Sequence, residues 1–163
     1  SVSASPSSSL SPSVSPSPSA SMSPSPSRED ANFTRENTGI LPDNDHNLDT
    51  SYTEQEELSI QKRDHITIEQ SGMFSYMVHQ FKKFVGRNVK AQVIVDTKFT
   101  LTPIESPIVL EIFNYSTNKW DLLDQNNWET DLVEIELTGI IRDLTKYKNP
   151  FSVITYRVYQ LAT

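Results

Sequence analysis

The stretch PIVLEIFNYSTNKWDLLDQNNW, Pro107 to Trp128, decides how this chain is read. In its first half Ile108, Leu110 and Ile112 fall on one side of an extended strand, with Glu111 on the other. The Asn- and Asp-rich middle has the composition of a hairpin turn, and the chain then returns through Trp120. A β-hairpin with one apolar face needs a second layer to cover that face.

The same period of two recurs outward from this hairpin. Leu58-Ser59-Ile60 and Ile66-Thr67-Ile68 alternate, and Met73 to Phe84 sets Phe74, Tyr76 and Val78 on one face. Val89, Ala91, Val93 and Val95 alternate with Lys90, Gln92 and Asp96. Val133, Ile135 and Leu137 alternate with Glu134 and Glu136, and Ile154, Tyr156 and Val158 lie opposite Thr155, Arg157 and Tyr159. In GIIRDLTKYK, Ile140, Leu144 and Tyr147 fit a turn or two of helix that Pro150 ends. Roughly seven to nine antiparallel strands, one short helix and no βαβ rhythm predict an all-β antiparallel sandwich. Its expected connectivity is jelly-roll-like rather than immunoglobulin-like. The expected division is a Ser/Pro-rich stalk over 1–27, an acidic connector over 28–57 and the sandwich over 58–163, with 31 as an alternative start.

Composition limits the function classes. All 14 basic and 21 acidic side chains lie beyond residue 27, and the net charge of -7 offers no basic face for nucleic acid. No apolar run approaches a membrane span, there is no cysteine, and no basic-then-apolar signal peptide is present. A first residue of Ser in place of Met is expected of a chain that has lost a leader or is one piece of a longer protein.

Ser and Pro make up 21 of the first 27 residues, with Ser at every odd position. Proline forbids helix here and favours an extended, polyproline-II-like stalk. It reads either as a solvated spacer or as a strand that docks on a neighbouring copy through Val2, Ala4, Leu10 and Val14. Such composition also suits O-glycosylation, for which Ser5, Ser11, Ser15, Ser17, Ser23 and Ser25 are candidates. Sequons at Asn32 and Asn114 are candidates for N-glycans.

In the connector, DNDHNLDTSYTE places Asp43, Asp45, Asn47 and Asp49 at the alternating positions of an EF-hand calcium loop, followed by Ser51 and Glu54. Leu48 stands where that loop needs glycine, and no amphipathic helices flank it. The alternative is an acidic surface loop with Asx turns. No cofactor other than calcium is expected. His46, His65 and His79 are dispersed without metal spacing, and no nucleophile elbow, phosphate loop or zinc motif occurs. Glu134 and Glu136 read as solvated neighbours on a strand face before a hydrolytic pair. Tyr115, Trp120 and Trp128 around the hairpin are candidates for sugar contact, aromatic faces among amides. The competing reading makes Trp120 a core plug and Trp128 an edge residue.

Three features, Gln80-Phe81-Lys82, VLEIFNYSTNKWDLLD and TYRVYQ, resemble a β-sandwich module of bacterial and phage-associated extracellular proteins, over about Ala31 to Gln160. That resemblance implies a surface or structural role and supplies no catalytic residues. The expected function is therefore a non-enzymatic extracellular or cell-surface structural subunit that assembles with copies of itself into a fibre or surface layer. The alternative is a carbohydrate-binding or adhesive module on a stalk.

Overall fold

The computed structural model describes residues 33–62, 74–98 and 101–162. Its strands are β1 (Phe33–Thr38), β2 (Thr50–Ser51), β3 (Ser75–Phe84), β4 (Ala91–Thr97), β5 (Ile108–Asn114), β6 (Lys119–Asn126), β7 (Ile135–Ile141) and β8 (Val153–Ala162). One helix, α1 (Glu54–Lys62), follows β2, and a 3-10 turn at Thr145–Tyr147 precedes β8. The described strands are antiparallel and form a six-stranded sheet, β2-β1-β3-β8-β5-β6, and a two-stranded sheet, β4-β7. The pairs β3/β8, β4/β7 and β5/β6 are nested, as in one long hairpin rolled over itself, and β5 also pairs with β8. That is the jelly-roll pattern of a sandwich-like all-β fold.

The alternation places the core. Ile108, Leu110 and Ile112 of β5 are fully buried, and β8 brings Ile154, Tyr156 and Val158 to the same side. Val93, Ile135, Leu137 and Ile141 of the small sheet cover them. Phe33, Phe81 and Tyr156 continue the layer with ring centroids 5.0 and 5.3 Å apart. Each such aliphatic side chain contributes roughly 1.5–3 kcal/mol by leaving water.

A bulge makes the second sheet reachable. The β5–β6 register shifts between Leu110 and Glu111, so that Leu123 is the extra residue of β6. Leu123 turns against Gly139 of β7, where an added Cβ would stand 2.6 Å from its Cδ1. The backbone N–H of Thr138 donates to Asp124 Oδ2 at 2.9 Å across the same seam. A bulge that bends a strand and re-aims one side chain is the expected device at such a corner.

Several local expectations give way to other structures. Leu58-Ser59-Ile60 lies in α1, not in a strand. Thr53 and Glu56 form a reciprocal capping box, Thr53 N to Glu56 Oε2 at 2.8 Å and Glu56 N to Thr53 Oγ1 at 3.2 Å. Glu54, Glu56 and Glu57 in the first turn complement the helix dipole. The segment read as a connector supplies β1 and β2, with Phe33 paired opposite Phe81. The helical reading of Gly139 to Tyr147 holds only for the 3-10 turn, because β7 runs through Ile141 in alternating burial. Ile66-Thr67-Ile68, Asn32 and every tract residue named above lie outside the described residues.

Candidate functional site

The six-stranded sheet has a second face, and its chemistry differs from the core's. On β8 the residues between the core positions are Thr155, Arg157 and Tyr159. Register sets Arg157 between Gln80 of β3 and Glu111 of β5, and sets Gln80 beside Thr34 of β1. Thr34, Gln80, Thr155 and Arg157 are all buried. What buries them is the segment from Gly39 to Asp49, which crosses this face as a strap.

The strap is held through its own backbone. Gln80 Nε2 donates to the carbonyls of Asp45 at 3.2 Å and His46 at 2.9 Å. Arg157 Nη1 donates to the Pro42 carbonyl at 2.8 Å, and Leu48 N donates to Thr34 Oγ1 at 3.0 Å. Leu48, the strap residue that stands where a calcium loop needs glycine, is buried. The four residues expected to hold calcium, Asp43, Asp45, Asn47 and Asp49, all lie along this strap. Among the described residues no three His, Cys, Asp or Glu side chains converge on a metal-sized space. Asp45 instead accepts the Tyr115 hydroxyl at 2.7 Å, and neither Asp43 nor Asp49 joins it in a ligand set.

Arg157 organises the centre. Its guanidinium meets Glu111 Oε2 through Nε at 2.8 Å and Nη2 at 2.7 Å. Glu111 Oε1 accepts from the Tyr159 hydroxyl at 3.2 Å, and burial, then the Glu111 charge, push that phenol's pKa up. The guanidinium carbon lies 4.0 Å from the Trp120 ring centroid, a stacked cation–π contact. Phe113 meets Trp120 and Tyr115 edge-on, at 5.2 and 5.0 Å. Burial and the bond to Asp45 raise the Tyr115 pKa, so its hydroxyl stays protonated and donates.

Between the strap and the hairpin tip a shallow groove of ≈ 420 Å³ remains, lined by Asp43, Asn118, Lys119, Trp120 and Arg157. It combines part of an indole with a carboxylate, an amide and an ammonium on its rim. In comparisons with known proteins, no family model, no curated protein and no solved structure matches this chain.

The sequence-predicted residues are distributed as follows. Tyr115 and Trp120 come together on either side of Phe113. Trp128 does not join them: it lies beyond the far end of β6, roughly 25 Å along the strand from Trp120 at about 3.3 Å per residue. It is exposed there, its backbone N–H donating to Asn126 Oδ1 at 3.2 Å. Asn114 is buried, its Nδ2 donating to Asp121 Oδ2 at 2.8 Å and its Oδ1 accepting from Ser116 and Thr117. The folded chain therefore does not present Asn114 as a glycan acceptor. Glu134 precedes β7 and Glu136 lies within it, both exposed. Arg157 and the strap residue Asp43 were not among the expected sugar contacts; their pairing with Trp120 depends on strand register and chain crossing.

His79 stands on the opposite, core-side face, hydrogen-bonded through Nδ1 to the Tyr52 hydroxyl. Burial, then the charge of Arg35, pull its pKa down to about 4. Arg35 itself pairs with Glu56 at 3.1 Å and lies 5.2 Å from the Tyr52 ring centroid. The cluster fastens α1 to β1 and β3, and its groups face protein rather than an open cleft.

Proposed function

We propose that this chain is a non-enzymatic module of an extracellular or cell-surface protein, which holds a carbohydrate in the groove between the strap and the β5–β6 hairpin tip. The observation that carries the reading is Trp120. Its indole is held in place by Phe113 and by Arg157, while Asp43, Asn118 and Lys119 stand around it. A pyranose presents an apolar C–H face and a ring of hydroxyls, and an aromatic surface rimmed by charged and amide groups matches both. The resemblance to modules of surface proteins, and the Ser/Pro-rich composition of residues 1–27, support the location.

The test is a glycan array probed with the full chain, followed by calorimetry on the best-bound sugar. Asp43→Ala combined with Asn118→Gly removes two rim groups and keeps the left-handed backbone at Asn118 accessible. We expect affinity to fall about tenfold or more, with the melting midpoint unchanged and Trp128→Ala binding as the parent does. An array without a bound sugar, or a rim variant of undiminished affinity, overturns the reading.

A further inference from the structure

The two ends of the sandwich differ in charge and share exposed apolar side chains. One end carries the hairpin tip, the β3–β4 loop and the turns flanking the 3-10 segment. These are tied together by Val85 N to Ser152 O, Leu144 N to Val89 O and Tyr115 N to Lys146 O. The other end carries the loops around 101–107 and 127–134 with the end of β8. These are joined by Ile104 N to Glu129 O and by Ser106 Oγ to Leu161 O.

Among the described residues the tip end has a basic excess, with Arg87, Lys90, Lys119, Arg142, Lys146 and Lys148 against Asp143 and the strap's Asp43 and Asp45. The far end is acidic, with Glu105, Glu129, Asp131 and Glu134 against Lys98. Each end also exposes large apolar groups, all more than half accessible. At the tip end these are Phe84, Val89, Ile140 and Phe151; at the far end, Phe74, Ile104, Trp128 and Leu132. Apolar groups gathered within a charged rim mark an interaction surface.

We infer that the acidic far end of one copy docks on the basic tip end of the next. The receiving feature is a notch of ≈ 320 Å³ whose lining includes Leu123, Ile140 and Tyr147, with Arg142 and Lys146 as its cations and Asp143 as its one acid. Trp128, an exposed indole next to Glu129 and close to Asp131, has the matching chemistry. Opposite charge on opposite ends selects a second copy as the partner and repels tip-to-tip or far-to-far pairing. The contact uses two different patches at opposite ends, so each dimer leaves one of either kind free and further copies add to it. The notch shares no lining residue with the groove at Trp120, although both lie at the tip end, and the contact locates assembly in the folded ends rather than in the Ser/Pro tract.

Sedimentation velocity on the full chain over rising concentration tests this. We expect species that grow beyond the dimer, and weaker association as salt rises from about 50 to about 500 mM, where screening shortens the reach of charge. Trp128→Ser with Leu132→Ser removes the far-end contact, and Ile140→Ser with Arg142→Ser removes the tip-end contact. Each variant alone should stay monomeric, and their mixture should form a dimer that grows no further. Asp131→Ser with Glu134→Ser repeats the far-end test on exposed charges alone. A parent chain monomeric at every concentration, a plateau at the dimer, or a mixture that stays monomeric overturns the inference.

Discussion

The inner and outer faces of the six-stranded sheet are made from the same strands, yet they are closed in different ways. The inner face is closed by another sheet: Leu110, Ile112 and Val158 meet Val93 and Leu137, and area removed from water stabilises it. The outer face is closed by irregular chain, and beside the apolar Val78 and Phe113 it buries the polar groups Thr34, Gln80, Thr155 and Arg157. A strap can lie on a sheet only if the carbonyls it buries find donors. Gln80 and Arg157 supply those donors, and Glu111 balances the charge that comes with them. Apolar packing tolerates small shifts, whereas a buried ion pair depends on both partners being present.

Arg157→Ala puts the comparison under its heaviest load. It leaves Glu111 without its cation under the strap and frees the Pro42 carbonyl, and should cost about 3–5 kcal/mol in urea unfolding. Leu110→Ala, on the inner face, should cost about 2–5 kcal/mol by losing transfer energy and leaving a cavity. Should Arg157→Ala cost under about 1 kcal/mol, the outer layer is ornament on a sheet that the core alone sustains.

A smaller effect separates the faces by pH. His79 has its pKa depressed to about 4, so the unfolded chain binds the proton more readily between that value and the ordinary 6.5. Its contribution is complete above about pH 6.5 and is lost as pH falls toward 4. Thermal melts should show a loss on the order of 2 kcal/mol over that window, which His79→Gln should reduce. Calcium comes last, with an expected effect of zero. Millimolar calcium or a chelator should leave the melting midpoint unmoved, since the acids of the strap do not converge. A midpoint that rises with calcium would mean that the strap rearranges around an ion and that the outer face is closed by metal.

Legibility followed the physics of each segment. Strands with one apolar side, such as β5, β7 and β8, can be read directly because period two and burial coincide. Leu58-Ser59-Ile60 is too short for period to arbitrate, and the stronger signal was Thr53-Glu54-Gln55-Glu56, whose capping box starts a helix. Gly139-Ile140-Ile141 fits either period, and pairing with β4 settled it as strand. At the site, Tyr115 and Trp120 could be found because they flank one hairpin, whereas Trp128 is near them only in sequence. Arg157 and Asp43 are 114 positions apart, and nothing local announces that they line one groove.

The sequence by itself determined that this chain is built of antiparallel strands around an apolar layer, because side-chain period is a property of neighbours along the backbone. It also determined the separation of an uncharged Ser/Pro tract from a charged remainder, a matter of composition alone. Tertiary structure decided the rest: which polar strand face is dry, which acids are strap and which indoles share a surface. Those outcomes depend on where the chain crosses itself, and a crossing joins residues whose spacing carries no periodic signal.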